Sequence, residues 1–308
     1  MTGDPSSTSR RNAVLLLHLT VFIWGWTGIL GKWIDQSALH IVYVRTVIAC
    51  IGLVAVARWM RVSLSPRTPD LGRYLLTGLI VLAHWTTFYL SIKRGNASVA
   101  VTCLSTSTFF TAMITPFWTK ERISGFEVVL GLVIIGALLL IFGLEVQYRE
   151  GMLLGVLSAL LSAWFNVVNS RLVRRGEAVR ICFYELLAVL GGMGLWLAVQ
   201  GDLPPPLWHM PAHDVAGYLV LGLLCTTFAC TAGIHVLKRL SPFTVILTVN
   251  LEPVYTILIA LLLWPASERM HVGSYLGFAL ILACISLNGW RQRRQETKVV
   301  KPQVFAQG

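Results

Sequence analysis

The sequence predicts an all-α polytopic membrane protein, with ten transmembrane helices arranged as two inverted five-helix repeats. Three observations carry this. The chain of 308 residues is 56% hydrophobic and only 13% charged, against about 25% charged in soluble domains, and its apolar residues come in long runs rather than alternating patterns. The basic residues fall overwhelmingly in every second inter-helix segment. The chain also resembles itself at a spacing of 140 to 147 residues.

Ten apolar spans are expected at 12–33, 37–58, 71–92, 97–118, 124–144, 151–171, 179–200, 215–236, 241–264 and 271–290. Each is close to the ~20 residues that cross a hydrocarbon core at a rise of ~1.5 Å per residue. Tryptophans at span ends (Trp33, Trp59, Trp118, Trp264, Trp290) form the interfacial belt. The first span ends in Gly31-Lys32-Trp33 without a small-residue cleavage pattern, so it reads as a retained helix and not a signal peptide. The longest connection, GDLPPPLWHMPAHD at 201–214, is stiffened by proline and leaves no room for a soluble catalytic domain. The organisation that follows is an N-terminal segment at 1–11, a first five-helix unit at 12–144, a short external linker at 145–150, a second unit at 151–290 and a basic tail at 291–308.

With the N-terminus inside, the inner segments hold 19 Lys and Arg and the outer ones 5. The positive-inside rule then puts both termini in the cytoplasm of a multi-pass inner-membrane protein. The net charge of +11 is therefore topogenic. It does not suit nucleic acid, because no basic domain exists to hold a duplex. The six cysteines (Cys50, Cys103, Cys182, Cys225, Cys230, Cys284) all lie in apolar segments and none forms a CxxC, so packing cysteine is expected, with neither disulfide nor metal site.

The internal matches are Trp24 with Trp164 and Arg45 with Glu185 at a spacing of 140, Ile92-Lys93-Arg94 with Leu237-Lys238-Arg239 at 145, and Glu121-Arg122 with Glu268-Arg269 at 147. At 145, Ser107 faces Glu252, Thr108 faces Pro253 and Thr111 faces Thr256. Five spans per unit is an odd number, so the second unit enters the membrane upside down, the arrangement many secondary transporters use for alternating access.

Ionisable residues at membrane depth are costly and are candidates for function. Here they are His18, Arg45, His84, Glu185, His235 and Glu252. His235, near a span end, is expected to be structural. Glu252-Pro253 lies near the middle of the ninth span, where proline is expected to kink the helix. Thr248, Glu252 and Tyr255 share one face at i, i+4, i+7. Span four carries seven hydroxyls: Thr102, Ser105, Thr106, Ser107, Thr108, Thr111 and Thr115. Some are expected to bond their own helix carbonyls. The others, with Asn166 and Asn169, would line a polar cavity. His84 beside Trp85, together with Trp24, Trp164, Phe109 and Tyr255, would supply its walls. Such a cavity suits a small amphiphile. Arg45 and Glu185, equivalent and opposite in charge, form a candidate ion pair, and His18 a candidate coupling group; the alternative is that Arg45 and Glu185 each pair locally. Gly151/Gly155 and Gly273/Gly277 fit helix packing.

Enzyme motifs are absent: there is no HExxH and no GxSxG, and GILGKW at 28–33 lacks the first glycine and the final Ser or Thr of a phosphate loop. No cofactor is expected, and transport would run on a gradient or passively.

With ten spans in two halves, an arginine early in span two (VRTVIACIGLV), the starts NASVAVTCLS and LSPFTVILTVNLEPVYT of spans four and nine, and Glu-Arg after each of those spans, the chain resembles the EamA family of the drug/metabolite transporter superfamily from Asn12 to Trp290. The resemblance implies a cavity between the halves, walled by spans one, three, four, six, eight and nine, and export or exchange of amino acids and other small metabolites. One departure stands out: a proline is expected near Thr108, where this chain has hydroxyls. The expected partners are a small-molecule solute and the bilayer, with a second copy of the chain as a candidate and no nucleic acid. An antiporter of phosphorylated sugars or nucleotide-sugars would need more cavity cations than Arg45. A non-transporting scaffold or receptor would not need polar groups at mid-depth.

Overall fold

The computed structural model describes residues 5–65, 68–119, 125–172, 177–237 and 248–304. The start of the predicted ninth span (241–247), Glu121-Arg122, Lys238-Arg239 and the side chain of His235 lie outside the described residues.

Among the described residues the protein is helical, with no strand. The helices are α1 (Pro5–Trp33), α2 (Ala38–Trp59), α3 (Thr68–Arg94), α4 (Ala97–Leu104), α5 (Ser107–Thr119), α6 (Gly125–Leu144), α7 (Arg149–Leu172), α8 (Ala178–Gln200), α9 (Ala212–Leu219), α10 (Ala229–Leu237), α11 (Glu252–Leu263), α12 (Pro265–Glu268) and α13 (Val272–Val304). A π-helical segment, Val220–Phe228, joins α9 to α10. Among the described residues eight apolar stretches are long enough to cross a membrane, and Val128–Leu144 and Glu252–Leu263 are shorter apolar helices. The chain is thus a multi-pass membrane protein. Spans four and nine are not continuous helices: the first is interrupted at Ser105-Thr106, and the second turns at Asn250-Leu251 before α11 begins.

Local signals set the helix ends. Ser37 and Asn96 cap α2 and α4 by accepting the amides of His40 and Val99. Gly201, at φ 68°, closes α8 in the left-handed conformation that glycine adopts without strain.

Helices from the two halves of the chain interleave. α3 packs on α7 and α8, α2 on α8 and the π segment, and α1 on α10 and α11. Outward faces are apolar: Leu153, Leu157, Leu160 and Trp164, at i, i+4, i+7, i+11 of α7, form one exposed stripe, as a lipid-facing surface should.

Three buried carboxylates fasten the end of the bundle where Trp33, Leu144 and Gln200 lie. Glu268 pairs with Lys32 Nζ at 2.6 Å and accepts the amides of Ala97 and Ser98 at the start of α4, while Asn96 Nδ2 donates to Ser267 O. Glu145 accepts from the His271 amide and the Ser274 hydroxyl at the start of α13. Asp214 accepts from the Asp35 amide and from Gln36 Nε2. A carboxylate at a helix N-terminus complements both the unpaired amides and the macrodipole. These loop acids are therefore structural anchors, a role their sequence setting did not reveal.

Candidate functional site

Arg45 is the centre of a polar cluster in an apolar bundle. It lies on α2, 4% exposed. Its Nε donates to Thr226 Oγ1 at 2.8 Å and its Nη1 to Tyr89 Oη at 2.7 Å. Its guanidinium carbon stands 3.9 Å from the Trp85 ring centroid, a cation–π contact that partly replaces lost water. Among the described residues Nη2 has no hydrogen-bond partner.

The partners are held by unusual backbone. Thr226 and Thr227 donate to the carbonyls five residues back, Leu221 O and Gly222 O. This matches the wider π turn, which turns the Thr226 oxygen toward Arg45. Single π turns are rare and concentrate at functional sites. Gly222 lets this segment reach α2, for a Cβ there would stand 2.5 Å from Ile48 Cγ2. Tyr89 lies against α1 at Gly31, where a Cβ would stand 2.7 Å from the ring.

The same face of α1 carries Gly25 and Gly28, and there it receives the start of α11. Added Cβ atoms would lie 3.0 Å from Tyr255 Cβ and 2.9 Å from Thr256 Cγ2. Thr256 Oγ1 donates to Gly25 O at 2.8 Å. The glycines of GWTGILGK thus serve helix approach, which accounts for their spacing without a phosphate.

Glu252 is the first residue of α11, and Pro253 follows in the first turn, where a missing N–H costs nothing. The expected kink is therefore a helix start: Leu251 N bonds Thr248 O, and Tyr255 N bonds Leu251 O. Glu252 is half-buried. Among the described residues its carboxylate has no hydrogen-bond or ion-pair partner, and its backbone meets α1 at Gly25, on the glycine face where Gly31 receives Tyr89, the partner of Arg45.

The interruption at Ser105-Thr106 has a different cause. Ser105 Oγ donates to Thr102 O and Thr106 Oγ1 to Cys103 O, each at 2.6 Å. Hydroxyls bonded into their own turn bend a helix. Across the gap, Thr108 Oγ1 donates to Asn250 Oδ1 at 3.2 Å, so the two interruptions touch.

Several expectations are corrected. Arg45 and Glu185 do not pair: Arg45 is held by Tyr89, Thr226 and Trp85, and Glu185 accepts from Asn169 Nδ2 at 3.3 Å. The register of α2 on α8 accounts for this, since Tyr43, two residues from Arg45, lies against Gly194 and not against Glu185. Ser105 and Thr106 do not offer their protons to a cavity, because both are spent on carbonyls; Thr102, Thr111 and Thr115 also bond back. His84 fastens α3 to α7: its Nδ1 lies 2.9 Å from both Ser158 O and Ser158 Oγ, and its ring packs on Phe88 and Phe165. Phe109 turns to α6, where Gly131 makes room for its ring, and lines an apolar cleft of about 170 Å³ between α5, α6 and α13. Trp164 belongs to the exposed leucine stripe. Asn166 bonds its own helix at Ser162 O. His18 is exposed on the α1 face of Leu15 and Leu19.

Trp85 does reach the cluster. Trp24, Leu251 and Tyr255 each pack on a separate small apolar cluster of Ala13, Leu17, Val21 and Val236. Tyr255 meets Phe22 edge-to-face at 5.5 Å. Thr248 is buried at the turn before Glu252. Sequence reasoning missed Tyr89 and Thr226. The Thr226-Thr227 pair was the only local sign of the π turn.

The EamA-like transporter family model matches residues 11–143 and 149–290. No curated protein matches the chain. A solved structure described only as "Crystal structure of protein" aligns with 93% of this chain and 99% of its own, at a TM-score of 0.63 and 16% identity. At that identity the likeness shows a common fold.

Proposed function

The chain belongs to the EamA-like transporter family, in the drug/metabolite transporter superfamily, and from that premise we propose that it is an ATP-independent secondary carrier exporting amino acids or related small zwitterionic metabolites. Its site is the space between Arg45 and Glu252. The observation that carries this reading is that both charges converge on the glycine face of α1, Glu252 through its backbone at Gly25 and Arg45 through Tyr89 at Gly31, without a direct ion pair among the described residues. Charges left in this condition at membrane depth await a partner. A zwitterion supplies both: its carboxylate to Nη2 of Arg45 and its ammonium to Glu252, with Trp85, Tyr89 and Tyr255 as apolar walls. Bidentate-capable arginine suits a carboxylate.

The helices meeting here come from both halves of the chain. The interruptions at Ser105-Thr106 and Asn250-Leu251 are 145 residues apart, which supports the reading of two inverted five-helix repeats, 12–144 and 151–290, that rock about the site. The charge distribution of the loops supports ten spans in an inner membrane with both termini cytoplasmic. The test is flux of amino acids into proteoliposomes at neutral pH. Accumulation or counterflow above protein-free vesicles is expected. Absence of flux for every proteinogenic amino acid, with the protein folded, would refute the substrate class.

A further inference from the structure

Five buried side-chain atoms lack a hydrogen-bond partner among the described residues, on Ser98, Asn169, Glu185, Tyr218 and Arg291. Two of them are neighbours. Asn169 Nδ2 donates to Glu185 Oε2, and this leaves Asn169 Oδ1 and Glu185 Oε1 both unpartnered. Glu185 is 6% exposed. Both orphan atoms are acceptors. A buried carboxylate oxygen without a donor is rare in a folded protein, and two unsatisfied oxygens on hydrogen-bonded neighbours point to a missing positive species.

Among the described residues the surroundings contain no side chain that supplies it. On α8 itself, Arg180 donates to Ser63 O and Tyr184 to Leu64 O. From α3, Tyr74 stacks on Tyr184 and Arg73 pairs with Asp70, while Gly78 brings its backbone against that of Glu185. From α2, Arg45 is committed to Tyr89 and Thr226. From α10, Cys230 faces Cys182 and Glu185. On α7, Arg171 is itself engaged.

We propose that Glu185 and Asn169 form a cation site, where Oε1 and Oδ1 take a proton or a sodium ion, separate from the Arg45–Glu252 cluster. A proton on Oε1 turns an orphan acceptor into a donor. A sodium ion is ligated by both oxygens. Its role as the coupling ion of a carrier rests on the function proposed above. The binding does not, so it is measured without solute.

The experiment is thermal melting of the purified full-length protein in two series: pH 5 to 9 in sodium-free choline buffer, and sodium against choline at fixed pH. The wild type is expected to be stabilised along one series, which identifies the cation. Glu185→Gln should flatten that dependence, and Glu150→Gln, at an exposed acid of α7, should keep it. Should Glu185→Gln fail to fold, Asn169→Ala decides, with the half-saturating cation concentration expected to shift by about tenfold, as when a ligand loses its orienting partner. Parallel curves for wild type and variant in both series would overturn the site.

Discussion

Two membrane helices of this protein are interrupted near equivalent positions, and they are interrupted by different chemistry. At Ser105-Thr106 two hydroxyls bond into their own turn. At Asn250-Leu251 the chain turns and restarts on Glu252-Pro253. The first interruption consumes its own polar groups. The second leaves a carboxylate uncommitted at a helix N-terminus. One device shapes the bundle and the other also presents a charge. A polar residue near the middle of a membrane helix is thus not by itself a binding group; what matters is whether its protons and lone pairs are already spent.

The comparison can be broken or sharpened by substitution. The largest effect is expected at Arg45, the proposed counterpart of the carboxylate at the second interruption. Arg45→Ala leaves the Thr226 and Tyr89 hydroxyls without their donor, at about 1–3 kcal/mol, and should abolish amino-acid flux; tryptophan-fluorescence melting and proteoliposome uptake read the two losses. Next comes Gly28→Ala, whose Cβ would stand 2.9 Å from Thr256 Cγ2. Overpacking of this kind costs about 1–3 kcal/mol, and by displacing the start of α11 it should lower flux more than Tm. Thr108→Pro gives the first interruption the proline of the second. Thr108 is in the first turn of α5, so the helix should tolerate it, with a loss of about 1 kcal/mol for the bond to Asn250. Collapse of folding in that variant would show that the two interruptions are not interchangeable. Smallest is Ser105→Ala or Thr106→Ala, each expected to change stability by about 0.5–1 kcal/mol and to leave flux within twofold, as the hydroxyls are internal.

Much of this was legible in the sequence, because lipid imposes strong rules on length, apolarity and loop charge. The membrane-crossing stretches, and the ionisable residues Arg45, Glu185 and Glu252 set among them, follow from those rules. What could not be read was pairing. Arg45 meets Thr226 across 181 residues, through a π turn that leaves almost no mark on the residue pattern. The hydroxyl run of span four suggested a polar lining, yet a threonine in a helix always has a carbonyl of its own within reach. Glu145, Asp214 and Glu268 looked like loop charges because their burial depends on helix ends brought together by the fold. Glu185 and Asn169 are 16 residues apart, and only the packing of α7 against α8 shows that both keep an unsatisfied oxygen.

The central claim is that Glu252 binds the ammonium of a zwitterion whose carboxylate meets Arg45. Competition in proteoliposomes tests it most directly, with an amino acid set against its N-acetyl form in the wild type and in Glu252→Gln. The wild type should prefer the free amino acid by about tenfold or more, the equivalent of about 1.4 kcal/mol, and Glu252→Gln should lose that preference at unchanged Tm. A variant that still discriminates as the wild type does would contradict the account.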